Sequence, residues 1–353
     1  MAKILVINPG SSSTKIALYN DENLIGSTTI RHEMQHANSY NVYDEVDVRI
    51  DLINSFLSVN NINIAEIDVY VGRGGLLKPI HSGTYLVNVA MVEDLKSAKY
   101  GNHPCNLGAI IAYEFANKNG KKAYIVDPVV VDEMDDIARV SGYKGLVRLS
   151  IFHALNQRAV GHLYAKDIKK KYEDLNLIVV HLGSGISVGI HKQGRIVDVN
   201  NALSGDGPFS SERSGTLPTF QLIDLCFNSG KSADEIKKMI VGRGGLVSYL
   251  NTSNGHEIRE RVDNGDKEAC FYMQAMAYQI AKEIGALYFA SKVKIDAVIL
   301  TGGLANYTTL VDMIKSYCEE IVKVVVYPGE DEMNALVAGV LRILRNEESL
   351  QYY

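Results

Sequence analysis

Cysteine is sparse in this chain, and its spacing pairs none of it. Cys105, Cys226, Cys270 and Cys318 are the four in 353 residues, with no C-x-x-C unit and no histidine cluster at metal-ligand spacing. That excludes a disulfide framework and a thiolate zinc site, and it reads as small buried side chains in a reducing compartment. Positive charge is lacking too. The net charge is -5, and the one basic run, Lys169-Lys170-Lys171, reads as the solvated end of a helix, so no nucleic-acid partner is expected. No 18-residue apolar run occurs, and no basic segment precedes a long apolar core at the start, so a cytoplasmic protein without a membrane partner is expected. Neither G-x-x-x-x-G-K-[ST] nor G-x-G-x-x-G is present, which excludes a Walker or Rossmann turn.

What is there is an ordinary globular composition, 46% hydrophobic and 22% charged, on a chain long enough for two domains. Two stretches share one design. Ile4 to Ile7 is an apolar run that meets Asn8, a Gly/Ser turn, and then an alternating run through Lys15 to Leu18. Ile178 to Val180 meets His181, then Gly183-Ser184-Gly185, and alternation resumes at Ile186, Val188 and Ile190. Each reads as strand, tight turn, strand. Glycines at 183 and 185 let backbone amides approach an anion, and Ser184 and Ser187 add hydroxyl donors, so the turn is a candidate phosphate cradle. The repetition points to an internally duplicated architecture with one such turn per half.

Other candidates lie at strand and helix ends. A strand over 67–71 delivers Gly72-Arg73-Gly74-Gly75, and an inward guanidinium there suits a carboxylate or phosphate. The same letters recur around Arg243, but after a helical stretch, where a C-cap at Gly242 and a solvated arginine are expected. His103 precedes a helix over 106–118, and His153 opens a helical stretch reaching Lys171. Asp127 follows a strand over 123–126, where open α/β sheets bind ligands. Arg213 is the second lone arginine in a glycine-bearing loop, and Thr301-Gly302-Gly303-Leu304-Ala305-Asn306 is a strand-to-helix turn against which a nucleotide can lie. Glu330, Asp331 and Glu332 open the last helix, where carboxylates suit the dipole and one of them suits Mg²⁺.

Taken together, NPGSSSTK at 8–15, GRGG at 72–75, HLGSGIS at 181–187, ERSG at 212–215 and TGGLAN at 301–306 resemble the acetokinase family of the acetate and sugar kinase/Hsc70/actin superfamily. The resemblance covers essentially the whole chain. It implies an α/β fold of two ribonuclease H-like (actin-like ATPase) domains flanking a nucleotide cleft, residues 1–149 with 333–353 and residues 150–332. It implies a homodimer or larger assembly, and Mg²⁺-dependent transfer of the ATP γ-phosphoryl to a short-chain fatty acid, giving an acyl phosphate and ADP. Within the family, the segment VDVNNALSGDGPFSSERSG (197–215) and the shorter length resemble the butyrate kinases, which implies butyrate as acceptor.

By motif position, Asn8 would contact phosphate, Arg73 and Arg213 would hold the carboxylate and the moving phosphoryl, and His153 would donate to phosphoryl oxygens. Asp127 would orient the metal or the carboxylate. Ser12, Lys15, His181, Gly183, Ser184 and Gly185 would lie on the nucleotide side, with Gly302, Gly303 and Asn306 near adenosine. The metal-linked glutamate of the family falls near Pro328, with Glu330, Asp331 and Glu332 in contention and Glu332 chosen. Two departures stand out. A second family histidine is replaced by Gln157, onto which no role is carried. Acetate kinases place a valine two positions after the first arginine, and Gly75 here is expected to leave room for extra carbons. A sugar kinase would need an aspartate base, and a chaperone-like ATPase would not need Arg73 and Arg213.

Overall fold

The computed structural model describes residues 1–11, 13–31 and 41–353; Ser12, one of the expected nucleotide contacts, lies outside them. The chain divides into two compact units, Met1–Val131 with Asp331–Tyr353, and Asp132–Glu330.

In the first unit, β1 (Lys3–Pro9), β2 (Ser13–Asn20) and β3 (Asn23–Arg31) form a meander, followed by α1 (Val46–Val59), β4 (Val69–Arg73), β5 (Thr84–Leu86), α2 (Asn106–Lys118) and β6 (Lys122–Val126). The chain returns at its end as α6 (Glu332–Leu344) and β12 (Gln351–Tyr352), and the sheet order is β12-β5-β6-β4-β1-β2-β3. Ile4, Leu5, Val6 and Ile7 are fully buried, the continuous apolar run of a strand covered on both faces. β1 pairs antiparallel with β2 and parallel with β4, Ile7 opposite Gly72, so Asn8 and Arg73 leave the sheet at the same end.

Two contacts hold those strand ends in place. A Cβ on Gly72 would collide with the Gly108 carbonyl, and one on Gly108 with the Arg73 backbone, so α2 rests backbone to backbone on the end of β4. Arg49 of α1 is fully buried and ion-paired with Glu45; its Nη1 donates to Thr14 Oγ1 at 2.8 Å and its Nη2 to the Gly10 carbonyl at 3.1 Å. Removing one partner of such a buried pair costs about 3–5 kcal/mol. The first Gly/Ser turn is thus clamped from below by a permanent cation.

In the second unit, α3 (Ala154–Asp167) precedes β7 (Asn176–Leu182), β8 (Ile186–Lys192) and β9 (Arg195–Val199); α4 (Lys267–Ala290), β10 (Ala297–Gly302), α5 (Thr308–Cys318) and β11 (Val324–Pro328) follow, after shorter helices between 219 and 263. The order is β11-β10-β7-β8-β9. Without β5 and β12 the first sheet runs β6-β4-β1-β2-β3, the same plan strand for strand. The duplication legible in the two hairpins therefore extends to both sheets. α3 is shorter than the expected stretch to Lys171: it ends at Asp167, and Lys169 turns left-handed at φ 56°.

Residues 132–149, expected with the first domain, group with the second unit. Asp135 N donates to the Val197 carbonyl at 2.9 Å, Ile196 N to Glu133 Oε2 at 3.0 Å, and Arg148 Nη1 to Asp198 Oδ1 at 2.8 Å, so this strap is tied to β9. Among the described residues no helix is long and apolar enough to cross a membrane.

The close approach of α2 to β4 leaves no space for a methyl group. Gly108→Ala is expected to cost about 1–3 kcal/mol, the usual range for overpacking, read as a lower urea midpoint. Gly26→Ala, where nothing lies within 4 Å of the added carbon, serves as the near-neutral control. Equal midpoints for the two variants would show that the contact is not tight.

Candidate active site

In the first unit the sheet end gathers three of the expected residues. Asn8, buried, donates from Nδ2 to Glu332 Oε2 at 2.7 Å. Arg73 Nη1 lies 2.9 Å from Glu332 Oε1, 3.2 Å from its Oε2 and 3.5 Å from Asn8 Oδ1. The pair is partly exposed, so it contributes on the order of 1 kcal/mol or less. Its importance is therefore positional: it aims the guanidinium rather than holding the sheet together.

The three carboxylates that open α6 divide by geometry. Asp331 caps the helix, accepting from Asn334 N at 3.1 Å, and Glu330, the last residue of the second unit, lies 2.9 Å from His181 of that same unit. Only Glu332 joins Asn8 and Arg73. Lys15, opposite Asn8 in the β1–β2 register, is exposed.

His103 belongs to the same neighbourhood. Desolvation, and then the Arg73 charge, hold its ring below the ordinary imidazole pKa. Its Nδ1 lies 3.0 Å from Cys105 Sγ, and burial pushes the Cys105 thiol up to about 11, so the sulfur stays protonated at neutral pH.

Asp127 sits one residue past β6 with a left-handed φ of 40°, and its Oδ1 accepts from Gly83 N at 2.7 Å. One carboxylate oxygen thus ties the loop carrying Gly83 to the strand end, and the backbone is held in a conformation a non-glycine residue seldom adopts. Gly75 departs from expectation. A Cβ there would lie 2.6 Å from Asn106 Cα and 2.7 Å from Leu95 Cδ2. The absent side chain is replaced by the start of α2, so residue 75 leaves no extra room for a longer acyl chain.

The second unit carries its own cluster. His153 occupies the N-cap of α3, and its ring stacks on that of His181 with centroids 3.7 Å apart and planes 8° from parallel. His181 is buried, with Nδ1 2.7 Å from Asn156 Oδ1 and Nε2 2.9 Å from Glu330 Oε1.

In the glycine turn, Gly183 N donates to the Gly185 carbonyl at 3.2 Å, and the Ser184 carbonyl accepts from Ser210 Oγ. A Cβ on Gly185 would overlap Arg213 Nη1, so the guanidinium lies directly against this turn. Arg213 Nη1 also donates to the Ala202 carbonyl. Arg243 is exposed, after a helix ending at Ile240, as expected.

Gly302, at φ 89°, packs on the Leu182 backbone where a Cβ would collide. Gly303 and Asn306 follow in a short helical turn, with Asn306 Nδ2 donating to the Gly303 carbonyl at 3.1 Å. Both line a cavity of about 310 Å³ together with Ile258, Arg259, Met273 and Tyr307. Apolar side chains alternate with polar ones in its lining, a mixture that suits a small organic ligand.

Sequence reasoning missed Arg49 and the buried chain Gln157, His191 and Tyr172. Arg49 had a signal: Glu45 stands four residues before it, a helical ion-pair spacing. His191 had none, since an alternating strand position does not tell a buried imidazole from an exposed one.

Glu332 and Asp127 offer the hard oxygen donors that Mg²⁺ takes, and the ion commonly needs only one or two protein carboxylates beside phosphate oxygens. Among the described residues no group of three or more His, Cys, Asp or Glu side chains is arranged so that it could hold a metal ion.

Comparison with known proteins adds the following. The profile described as the acetokinase family matches residues 137–342, more than half of the chain. The crystal structure of Porphyromonas gingivalis acetate kinase aligns with TM-score 0.80 at 21% identity, covering 98% of this chain and 100% of that one. A propionate kinase from Francisella tularensis gives 0.73 at 20%, covering 96% and 99%. Acetate kinase from Entamoeba histolytica gives 0.74 at 18%, covering 96% and 98%. At these identities the likeness is one of fold: the two-sheet α/β architecture is that of the acetate and propionate kinase structures.

His191 yields a prediction about stability. Burial, and then the Arg158 charge, bring its pKa from the ordinary 6.5 to about 3. From pH 6.5 down to about 3 the unfolded chain takes up a proton that the folded one refuses, so stability present above 6.5 is lost as pH falls through that window. The urea midpoint should drop more steeply with acid in the native protein than in His191→Asn. Parallel pH profiles would mean that the residue titrates normally.

Proposed function

The chain belongs to the acetokinase family, and from that premise we propose that it is a short-chain fatty acid kinase that moves the γ-phosphoryl of ATP reversibly to butyrate. The observation that carries the reading is the Asn8–Arg73–Glu332 constellation at the end of parallel strands β1 and β4. A guanidinium at that end of the sheet, already holding a carboxylate, is built to hold another.

A carboxylate is ionised at neutral pH, so no base is needed to create the nucleophile. The difficulty is charge, because an anion must approach a highly anionic nucleotide and negative charge spreads over three equatorial oxygens as the phosphoryl moves. Arg73 takes the substrate carboxylate, which releases Glu332 from its pair. Arg213 takes the phosphoryl oxygens, and His153 adds a ring N–H donor to them. Fixed donors of this kind each contribute about 10²–10³ in rate. Gly183 and Gly185 let phosphate run along the turn against which Arg213 lies, and the cavity at Gly303 and Asn306 takes adenosine. Glu332 and Asp127 would hold Mg²⁺, which would supply neutralisation of the nucleotide's negative charge.

Butyrate as acceptor rests on the likeness of residues 197–215 to butyrate kinases, since Gly75 is closed off. One methylene is worth about 1–3 kcal/mol of discrimination, so propionate and isobutyrate remain competent. A homo-oligomer is part of the same reading. The helix Thr219–Asn228 buries none of its residues, and Phe220 and Phe227 are 85% and 82% exposed.

Hydroxamate capture of acyl phosphate with butyrate as acceptor, and acceptor-dependent release of ADP with glycerol or glucose, test the reaction class. Product with butyrate alone is expected, and transfer to either alcohol would overturn it. Arg73→Ala and Arg213→Ala should each lower kcat by about 10²-fold or more while ATP binding changes little; near-normal turnover rejects the roles. For chain length, kcat/KM should be highest for butyrate among acetate, propionate, butyrate and isobutyrate, and a preference for acetate refutes the assignment.

A further inference from the structure

Behind His153 runs a chain of buried hydrogen bonds that the proposed transfer does not itself require. Tyr172 Oη lies 2.7 Å from His191 Nδ1, and His191 Nε2 lies 3.0 Å from Gln157 Oε1. Gln157 Nε2 donates to Ser187 Oγ at 2.8 Å and to the Ser187 carbonyl at 3.1 Å, and Ser187 Oγ lies 2.9 Å from His153 Nδ1. Gln157, His191 and Ser187 are fully buried, and Tyr172 is 2% exposed.

One atom sets the direction of the whole chain. The Ser187 carbonyl only accepts, so the Gln157 amide must turn its NH₂ toward Ser187 and its oxygen toward His191. A neutral imidazole, which His191 is when buried this way, then carries its proton on Nε2, and its Nδ1 takes the phenol proton of Tyr172. On the other side the amide fills one lone pair of Ser187 Oγ, and the hydroxyl proton is directed at His153 Nδ1.

Building on the role of His153 given above, we propose that Ser187 and Gln157 are positioning residues that hold His153 as the tautomer protonated on Nε2. His153 Nδ1 is thereby an acceptor, and Nε2–H is the ring's donor for a phosphoryl oxygen. The wrong tautomer would offer a lone pair to that oxygen, and two electron-rich atoms would meet. The glutamine is suited to the task in a way a histidine is not. Its amide donates twice from one nitrogen, to the carbonyl that fixes its own orientation and to the hydroxyl that passes the order on.

The test uses full-length protein labelled with ¹⁵N-histidine, and long-range ¹H–¹⁵N correlation spectra recorded above the pH of ring titration. His153→Asn and His191→Asn assign the signals. Expected in the native protein are rings protonated on Nε2 at both 153 and 191. In Ser187→Ala the His153 ring should become a mixture of tautomers while His191 keeps its pattern; in Ser187→Thr, which retains the hydroxyl, the single tautomer should persist. Acyl-phosphate formation should fall about tenfold or more in kcat for Ser187→Ala, with KM for nucleotide little changed and recovery in Ser187→Thr. A native His153 protonated on Nδ1, or one whose tautomer is indifferent to Ser187→Ala, overturns the proposal. The spectra are read without substrate, so absence of kinase activity would sink the functional reading and leave the tautomer result standing.

Discussion

An arginine at the end of a buried strand has to be given an anion, and in the first unit that requirement reaches across most of the chain. Arg73 finds Glu332, 259 residues later, and the same carboxylate accepts from Asn8. The pair is too exposed to hold the fold. Packing does that, with Gly339 of α6 pressed on Val126 so closely that a Cβ would overlap it. Once α6 is seated, its first residue has nowhere to go but the end of the sheet, and the ionic contact follows. The polar site is thus a consequence of apolar packing, and it holds a carboxylate in the place where the proposed substrate carboxylate binds.

The second unit solves a related problem differently. Here the charged and titratable groups cannot be aimed by a single partner, because His153 and His181 lie face to face and each ring has two nitrogens to satisfy. Asn156 and Glu330 flank His181, while the hydroxyl of Ser187 and the amide of Gln157 stand behind His153. Neutrality at His191, imposed by burial, keeps that backing network free of an uncompensated charge. The two units share a strand plan, and they differ in how each strand end is furnished.

Much of the architecture was legible before any coordinates. The two strand-turn-strand runs announced the duplication because a buried parallel strand must be a continuous apolar run, and few other structures write that pattern. Arg73 and His181 stood out because each ends such an apolar run with charge or imidazole, Arg213 because it is a lone arginine in a glycine-bearing loop, and His153 because it opens a helical stretch. The strap at 132–149 was not legible: it lacks periodicity, and its allegiance rests on single hydrogen bonds to β9. Gly75 illustrates the converse error. An absent side chain reads in sequence as space, whereas α2 had already filled it.

The sequence by itself determined the two strand-turn-strand runs, the strands that lead to Arg73, Asp127 and Gly302, and the residue types at their ends, since these follow from local patterning and from the chemistry each side chain carries. Tertiary structure alone decided which of Glu330, Asp331 and Glu332 meets Arg73, that Gly75 is closed, and which way the proton chain behind His153 points. The reason is the same in each case. Those outcomes depend on a distance or a lone pair contributed by residues far away in the chain, and no local pattern encodes where a distant backbone carbonyl will lie.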